Sequence, residues 1–214
     1  MMAEFSLHCF YESGNAYKPA LMLALNEADW EPIKVDFFNG ETRGSDWRTE
    51  NNVMGEVPVL THHRQDGDLT LTQSGAILTY LARHFGSYGP SNEEQELEVM
   101  RWLLFDSQKV SGYAGPLRFL RHLKRTGETE VTAFLHGRLA GALAVLDARL
   151  EGRKWLAADG ATIADLACCG YLYWPDEIGI DLADYPNISP WLEQIAALPG
   201  YQSAAALMPR AFGG

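Results

Sequence analysis

The 214 residues predict a small α/β domain of order β-α-β-α-β-β-α followed by an all-helical half. Three observations carry this. Two short apolar runs of strand type flank a helical stretch near the N-terminus; an alternating hairpin pattern runs from Val57 to Thr72; and no strand pattern persists after the break Gly86-Ser87-Tyr88-Gly89-Pro90-Ser91-Asn92. The predicted boundaries are a first domain at 1–86, a linker at 87–92 and a helical domain at 93–214.

Phe5 to Phe10 reads as the first strand, and the turn Ser13-Gly14-Asn15 leads into a helix that carries Leu21, Met22 and Leu25 inward and ends between Asn26 and Asp29. Pro19 lacks an N–H and is acceptable there if it falls in the first turn. Ile33 to Val35, after Pro32, is the second strand, and the β-α-β order implies parallel pairing. Residues 40–52 are polar, hold Trp47 and read as a loop with a short helix.

The stretch Gly55 to Leu60 is the most informative. Pro58 sits in an apolar strand-type run, so it must occupy a start, an edge or a bulge. That placement raises the odds of a cis Val57-Pro58 bond, which would free the Val57 N–H and C=O to pair with another peptide. The run turns at Asp66-Gly67 and returns through Leu69 to Thr72. Gln73 and Ser74 then open a helix reaching about Phe85, with Ala76, Ile77, Tyr80 and Leu81 at helical spacing. A helix start offers unpaired N–H groups and partial positive charge, which suit a carboxylate. A peptide clamp beside a carboxylate seat describes a site for a small acidic peptide, although an N-cap serine and a turn proline explain each feature taken singly.

The second half reads as helices from about Glu93 to Gly112, one broken near Gly127, a long one to Glu151, and others from Thr162 onward. Thr162-Ile163-Ala164-Asp165 is a capping box that opens a nearly all-apolar helix, Leu166 to Tyr173, and its expected role is in folding.

With 28 acidic against 17 basic residues, the net charge of −11 and the pI near 4.9 argue against nucleic acid or anionic membrane as a partner. The N-terminus has no basic leader region and no later window approaches a membrane span, so a cytoplasmic protein is expected. Cys9, Cys168 and Cys169 form no CxxC pattern, which fits a reducing compartment, and the six histidines show no metal-ligand spacing. No metal and no cofactor are expected.

These residues together resemble the cytosolic glutathione transferases over nearly the whole chain. Asn52-Val53-Met54-Gly55-Glu56-Val57-Pro58 is similar to the family's Asn-Pro-x-Gly-x-Val-Pro segment, and Gln73-Ser74-Gly75-Ala76-Ile77 to its Gln/Glu-Ser-x-Ala-Ile segment. Ala161 to Asp165 is similar to its Thr-x-Ala-Asp cap, and Pro186-Asn187-Ile188, Trp191 and Pro199-Gly200-Tyr201 to its closing helices. The resemblance implies a thioredoxin-like first domain, an all-α second domain, a homodimer, and glutathione as co-substrate. It implies that the Val57 main chain, after which Pro58 fixes the turn, pairs with the cysteinyl unit, and that Gln73 and Ser74 take the γ-glutamyl carboxylate and neighbouring groups.

Ser13-Gly14-Asn15 stands where serine-type members carry their catalytic serine and nu-type bacterial members a Thr-Pro-Asn sequence, so Ser13 and Asn15 are the catalytic candidates. Their task is to favour thiolate over thiol, since the thiolate is the nucleophile. Cys9 and Tyr11, close by in sequence, are rivals for holding the sulfur. Glu56 departs from the Lys or Gln of many members and would oppose an acidic ligand unless it meets the glutathione amino group; Trp47 and Arg48 are candidates for the glycyl carboxylate. Ser-Gly-Asn also departs from the Ser-Ser-Cys of zeta-type isomerases, which weighs against maleylacetoacetate isomerisation. Trp102, Phe105, Asp106 and Tyr113, with Phe119, Trp174 and Phe212, are candidates for a pocket for a small hydrophobic electrophile, although aromatics at helical spacing are more often core. The activity implied is transfer of glutathione to that electrophile. The alternatives are a nu-type disulfide reductase or peroxidase and a non-catalytic scaffold.

Overall fold

The computed structural model describes Met2 to Ala211; Phe212 lies outside the described residues. The chain divides into two units, one running to Ser87 and joined by the closing segment from Pro199, the other Tyr88–Leu198. The closing segment, assigned from sequence to the helical domain, thus packs with the first unit instead.

In the first unit the strands β1 (Phe5–Cys9), β2 (Trp30–Lys34), β3 (Val59–His62) and β4 (Leu69–Thr72) form one sheet of order β2-β1-β3-β4. β1 runs parallel to β2 and antiparallel to β3, which runs antiparallel to β4, so this is the thioredoxin-like arrangement expected. Pro32 lies inside β2 rather than before it. β2 is an edge strand, so a missing N–H need not interrupt a ladder.

Helix α1 (Gly14–Leu25) is buried at nearly every position from Ala16 to Leu25 and packs against α3 (Ser74–Phe85) and α10 (Ala204–Leu207). Such a helix is held by packing on all sides, which is why its sequence lacks a polar face. Pro19 is its sixth residue, not in the first turn, and it withholds the N–H that the Asn15 carbonyl would otherwise accept. The polar stretch 40–52 contains the short helix α2 (Ser45–Glu50). A satellite core of Phe10, Val35, Trp47 and Val59 closes that end of the sheet.

The second unit is built from α4 (Glu93–Phe105), α5 (Ser111–Arg118), α6 (Glu130–Leu150), α7 (Ile163–Cys168), α8 (Pro175–Ile178) and α9 (Ile188–Ala196). The single helix expected from Glu93 to Gly112 is instead α4 leading through a π-helical segment, Asp106–Val110, into α5. The capping box is present, with Thr162 and Asp165 exchanging their bonds, but α7 stops at Cys168 rather than Tyr173. Gly170 is a poor helix former, and Pro175 starts the next helix. Contrary to expectation, α6 is long and apolar enough to cross a membrane; its Leu139, Leu143, Leu146 and Leu150 are buried within the unit, while Val131, Phe134 and Val145 on it are exposed.

Candidate functional site

Strand register gathers the glutathione candidates at one end of the sheet. His8 of β1 pairs with Val59 of β3, and Val59 pairs with Thr72 of β4. The loop after β1, the Val57-Pro58 segment before β3 and the Gln73-Ser74 step after β4 therefore emerge together. Distant residues meet there because β3 is antiparallel to both of its neighbours.

Ser13 caps α1. Its Oγ accepts from the Ala16 N–H at 3.1 Å, and it is 6% exposed. Among the described residues no acceptor takes its hydroxyl proton, so the O–H remains available to a ligand. Asn15, one helical step inward, accepts through Oδ1 from the Lys18 ammonium at 2.9 Å. Lys18 is 1% exposed, a buried cation one turn after Asn15 that the sequence reading passed over. The signal was a single charged residue in the apolar run Ala16 to Leu25.

The closing segment braces this loop. Tyr11 N–H donates to the Pro209 carbonyl (2.8 Å), Ala211 N–H donates to the Glu12 carboxylate (3.1 Å), and the Arg210 guanidinium lies 4.5 Å over the Tyr11 ring. Tyr17 Oη donates to the Gln202 carbonyl at 2.9 Å. This brace, too, was invisible from local sequence.

The Val57-Pro58 bond is cis. Val57 lies outside β3, and among the described residues nothing is bonded to its N–H or C=O. Gln73 has φ +66° and ψ +114°, a conformation costing about 1–3 kcal/mol that is most often retained at functional positions. Its Nε2 donates to the Glu56 carboxylate at 3.1 Å, so these two candidates touch. Ser74 opens α3, whose N-terminus has no side-chain cap and presents free N–H groups. Arg48, proposed from sequence for a carboxylate, donates to the Val53 carbonyl at 2.7 Å and braces the loop ahead of Val57.

Trp47 is 4% exposed in the satellite core, edge-on to His8, so its ring is a packing element rather than a surface contact. Cys9 is fully buried, and burial pushes its thiol up to about 12, far from a thiolate. All three cysteines are buried thiols outside any disulfide. Native protein treated with iodoacetamide at neutral pH is accordingly expected to gain almost no label, and three labels once unfolded; intact-mass spectrometry reads both.

In the second unit Trp102 and Phe105 stack edge to face at 5.2 Å. Trp102 is 4% exposed and donates through Nε1 to Glu98, so it is mainly core. Asp106 is buried and accepts from the Ser111 hydroxyl at 2.8 Å at the head of the π-helical segment, a distortion frequent at functional sites. The Tyr113 Oη is held by the Arg138 guanidinium, which lowers the phenol's pKa. Trp174 is covered by Arg118 at 4.0 Å, and Phe119 packs under Lys124.

Comparison with known proteins bears on the family and the fold. Residues 4–83 match the glutathione S-transferase N-terminal domain and residues 116–199 the glutathione S-transferase C-terminal domain. Glutathione S-transferase 3 of Zea mays is 31% identical, with 97% of this chain aligned to 96% of that protein. The disulfide-bond oxidoreductase YfcG of Escherichia coli K12 is 30% identical over 89% of each. The crystal structure of a glutathione S-transferase from Pseudomonas fluorescens Pf-5 superposes with a TM-score of 0.86 at 31% identity, covering 94% of this chain and 99% of that one. The chain belongs to the glutathione S-transferase family.

Proposed function

We propose that this protein binds glutathione at the Ser13 end of the sheet, holds its sulfur as thiolate and transfers it to a small hydrophobic electrophile. The observation that carries this reading is the Ser13 hydroxyl, buried at a helix N-terminus with its proton unclaimed. Lowering a thiol pKa by two units needs about 2.7 kcal/mol, which one charge-assisted hydrogen bond and a helix N-terminus can supply. No protein base is then required. The open Val57 peptide would pair with the cysteinyl unit, the α3 N-terminus with Ser74 would take the γ-glutamyl carboxylate, and Glu56 would meet the γ-glutamyl ammonium next to Gln73. Trp102, Phe105, Asp106 and Tyr113 are retained as the second-substrate candidates, with Phe105 and Tyr113 the less buried of the four. The same reading implies a homodimer.

The test is the ultraviolet thiolate absorbance of bound glutathione against pH. Wild type is expected to titrate well below free glutathione, and Ser13→Ala to raise the bound value by about one to two units, since a charge-assisted bond is worth about 1.5–3 kcal/mol. An unchanged value in the variant would remove Ser13 from the reaction. A second reading, disulfide reduction, is favoured by the similarity to the Escherichia coli disulfide-bond oxidoreductase. There the glutathione thiolate attacks one sulfur of a small disulfide and expels the other as thiolate, and a second glutathione resolves the mixed disulfide to glutathione disulfide. Turnover of an aryl halide against that of hydroxyethyl disulfide separates the two.

A further inference from the structure

The same register that gathers the Ser13 end separates it from a second cluster. Phe5 of β1 pairs with His62 of β3, and His62 pairs with Leu69 of β4, so Glu4 and His62 lie at the opposite end of the sheet. Glu4 precedes β1 there, and His84, in the last turn of α3, comes to meet them. The His62 Nε2 lies 3.3 Å from Glu4 Oε1, and the His84 Nε2 lies 3.2 Å from the same oxygen. One ligand atom from each residue falls within 4.8 Å of the others.

We propose that Glu4, His62 and His84 form a site for a divalent transition metal of the Zn2+ type. With metal–ligand bonds of about 2.0–2.1 Å, neighbouring vertices of a tetrahedron lie about 3.3–3.4 Å apart, close to both His–Glu separations here. Two imidazoles and one carboxylate suit Zn2+ and similar borderline cations rather than Ca2+ or Mg2+, which prefer oxygen alone. With three protein ligands, the fourth position is left for water.

The surroundings are those of a built site. His62 Nδ1 lies 2.6 Å from Tyr80 Oη, a partner that fixes the ring and, with Nε2 on a metal, receives the Nδ1 proton. Phe5, itself fully buried, packs against both imidazoles, with ring centroids 4.4 Å from His62 and 5.4 Å from His84. The side chains of His84 and Glu4 are 30% and 43% exposed, which leaves a path for the ion. His63 is excluded because its two nitrogens lie near Ser6 Oγ and Asp68. The net charge of −11 raises the local concentration of cations around the protein. Such an ion would join the start of β1, the end of β3 and the last turn of α3, at the end of the sheet opposite Ser13.

The experiment uses the untagged, full-length protein, stripped with chelator and titrated with Co2+ as a spectroscopic substitute for Zn2+. One equivalent with intense tetrahedral d–d absorption is expected, displaced by Zn2+. His84→Ala and Glu4→Gln should each abolish the bands while leaving the circular dichroism spectrum and glutathione affinity unchanged. Tyr80→Phe should weaken binding about 10–100-fold, as loss of an outer partner does. Absence of Co2+ uptake by wild type, or bands that survive both ligand substitutions, would overturn the site and leave the three side chains as an ordinary Glu–His ion-pair cluster.

Discussion

Replacing Asp165 with alanine is expected to destabilise the helical unit by about 4 kcal/mol, the largest effect of any single substitution discussed for this protein. The side chain is fully buried, and each oxygen serves two donors. Oδ1 accepts from the Leu156 N–H at 3.0 Å and the Trp191 Nε1 at 2.9 Å, while Oδ2 accepts from the Thr162 N–H at 2.9 Å and the Thr162 hydroxyl at 3.2 Å. Alanine relieves the cost of burying a carboxylate but strands those donors where water cannot reach them. Stranding wins, because each orphaned buried donor costs about 1–3 kcal/mol. Trp191 is among the largest fully buried side chains, so its loosening would spread into α9. Urea unfolding followed by tryptophan fluorescence reads the change. Asp165→Asn, which keeps an acceptor at one oxygen position, should lose less. A midpoint for Asp165→Ala equivalent to within about 1 kcal/mol of wild type would mean that the buried carboxylate contributes no more than an ordinary hydrogen bond.

Gly55→Ala is expected to raise the KM for glutathione about tenfold or more with kcat largely retained. Gly55 has φ +72°, a conformation that costs an L-residue about 1–2 kcal/mol. A Cβ there would also lie 2.7 Å from an Arg48 guanidinium nitrogen and 2.8 Å from the Thr42 carbonyl oxygen. The guanidinium can swing aside only by giving up its bond to the Val53 carbonyl, and the Thr42 oxygen, being main chain, cannot. The loop must therefore shift, carrying with it Val57, whose free peptide groups are the proposed clamp. Tenfold in affinity corresponds to about 1.4 kcal/mol, less than the combined strain and clash, so the effect should be visible even if the loop relaxes. Arg48→Ala added to Gly55→Ala should not restore binding, because the Thr42 contact remains. Steady-state kinetics at varied glutathione decides it: a KM within twofold of wild type would show that this loop does not position the clamp.

Much of this arrangement was legible beforehand. The helix starts at Ser13 and Thr162 were legible because capping depends on side-chain type at one position, the start at Gln73 because the residues after it recur at helical spacing, and the break at 86–92 because glycine and proline punctuate chains locally. Pro58 pointed to a strand start, and β3 indeed begins at Val59. The errors fell where the neighbourhood decides. Pro32 is tolerated inside β2 only because that strand is an edge, and Trp47 is buried because Phe10, Val35 and Val59 converge on it. A loop tryptophan and a core tryptophan look alike in one dimension.

The sequence by itself determined the element order, the two-part division, the family's motifs and the candidates Ser13, Asn15, Glu56, Val57, Gln73 and Ser74, since periodicity, capping and missing N–H groups act over a few residues. Tertiary structure alone decided which of these face one another. Antiparallel pairing placed Glu56 against Gln73, α1 buried Lys18 beside Asn15, and the closing segment returned to brace Tyr11 and Glu12. It also brought Glu4, His62 and His84 to one point, although no spacing along the chain suggested it. The physical reason is that a ligand site requires atoms a few ångströms apart, and strand register and helix packing, not sequence separation, set those distances.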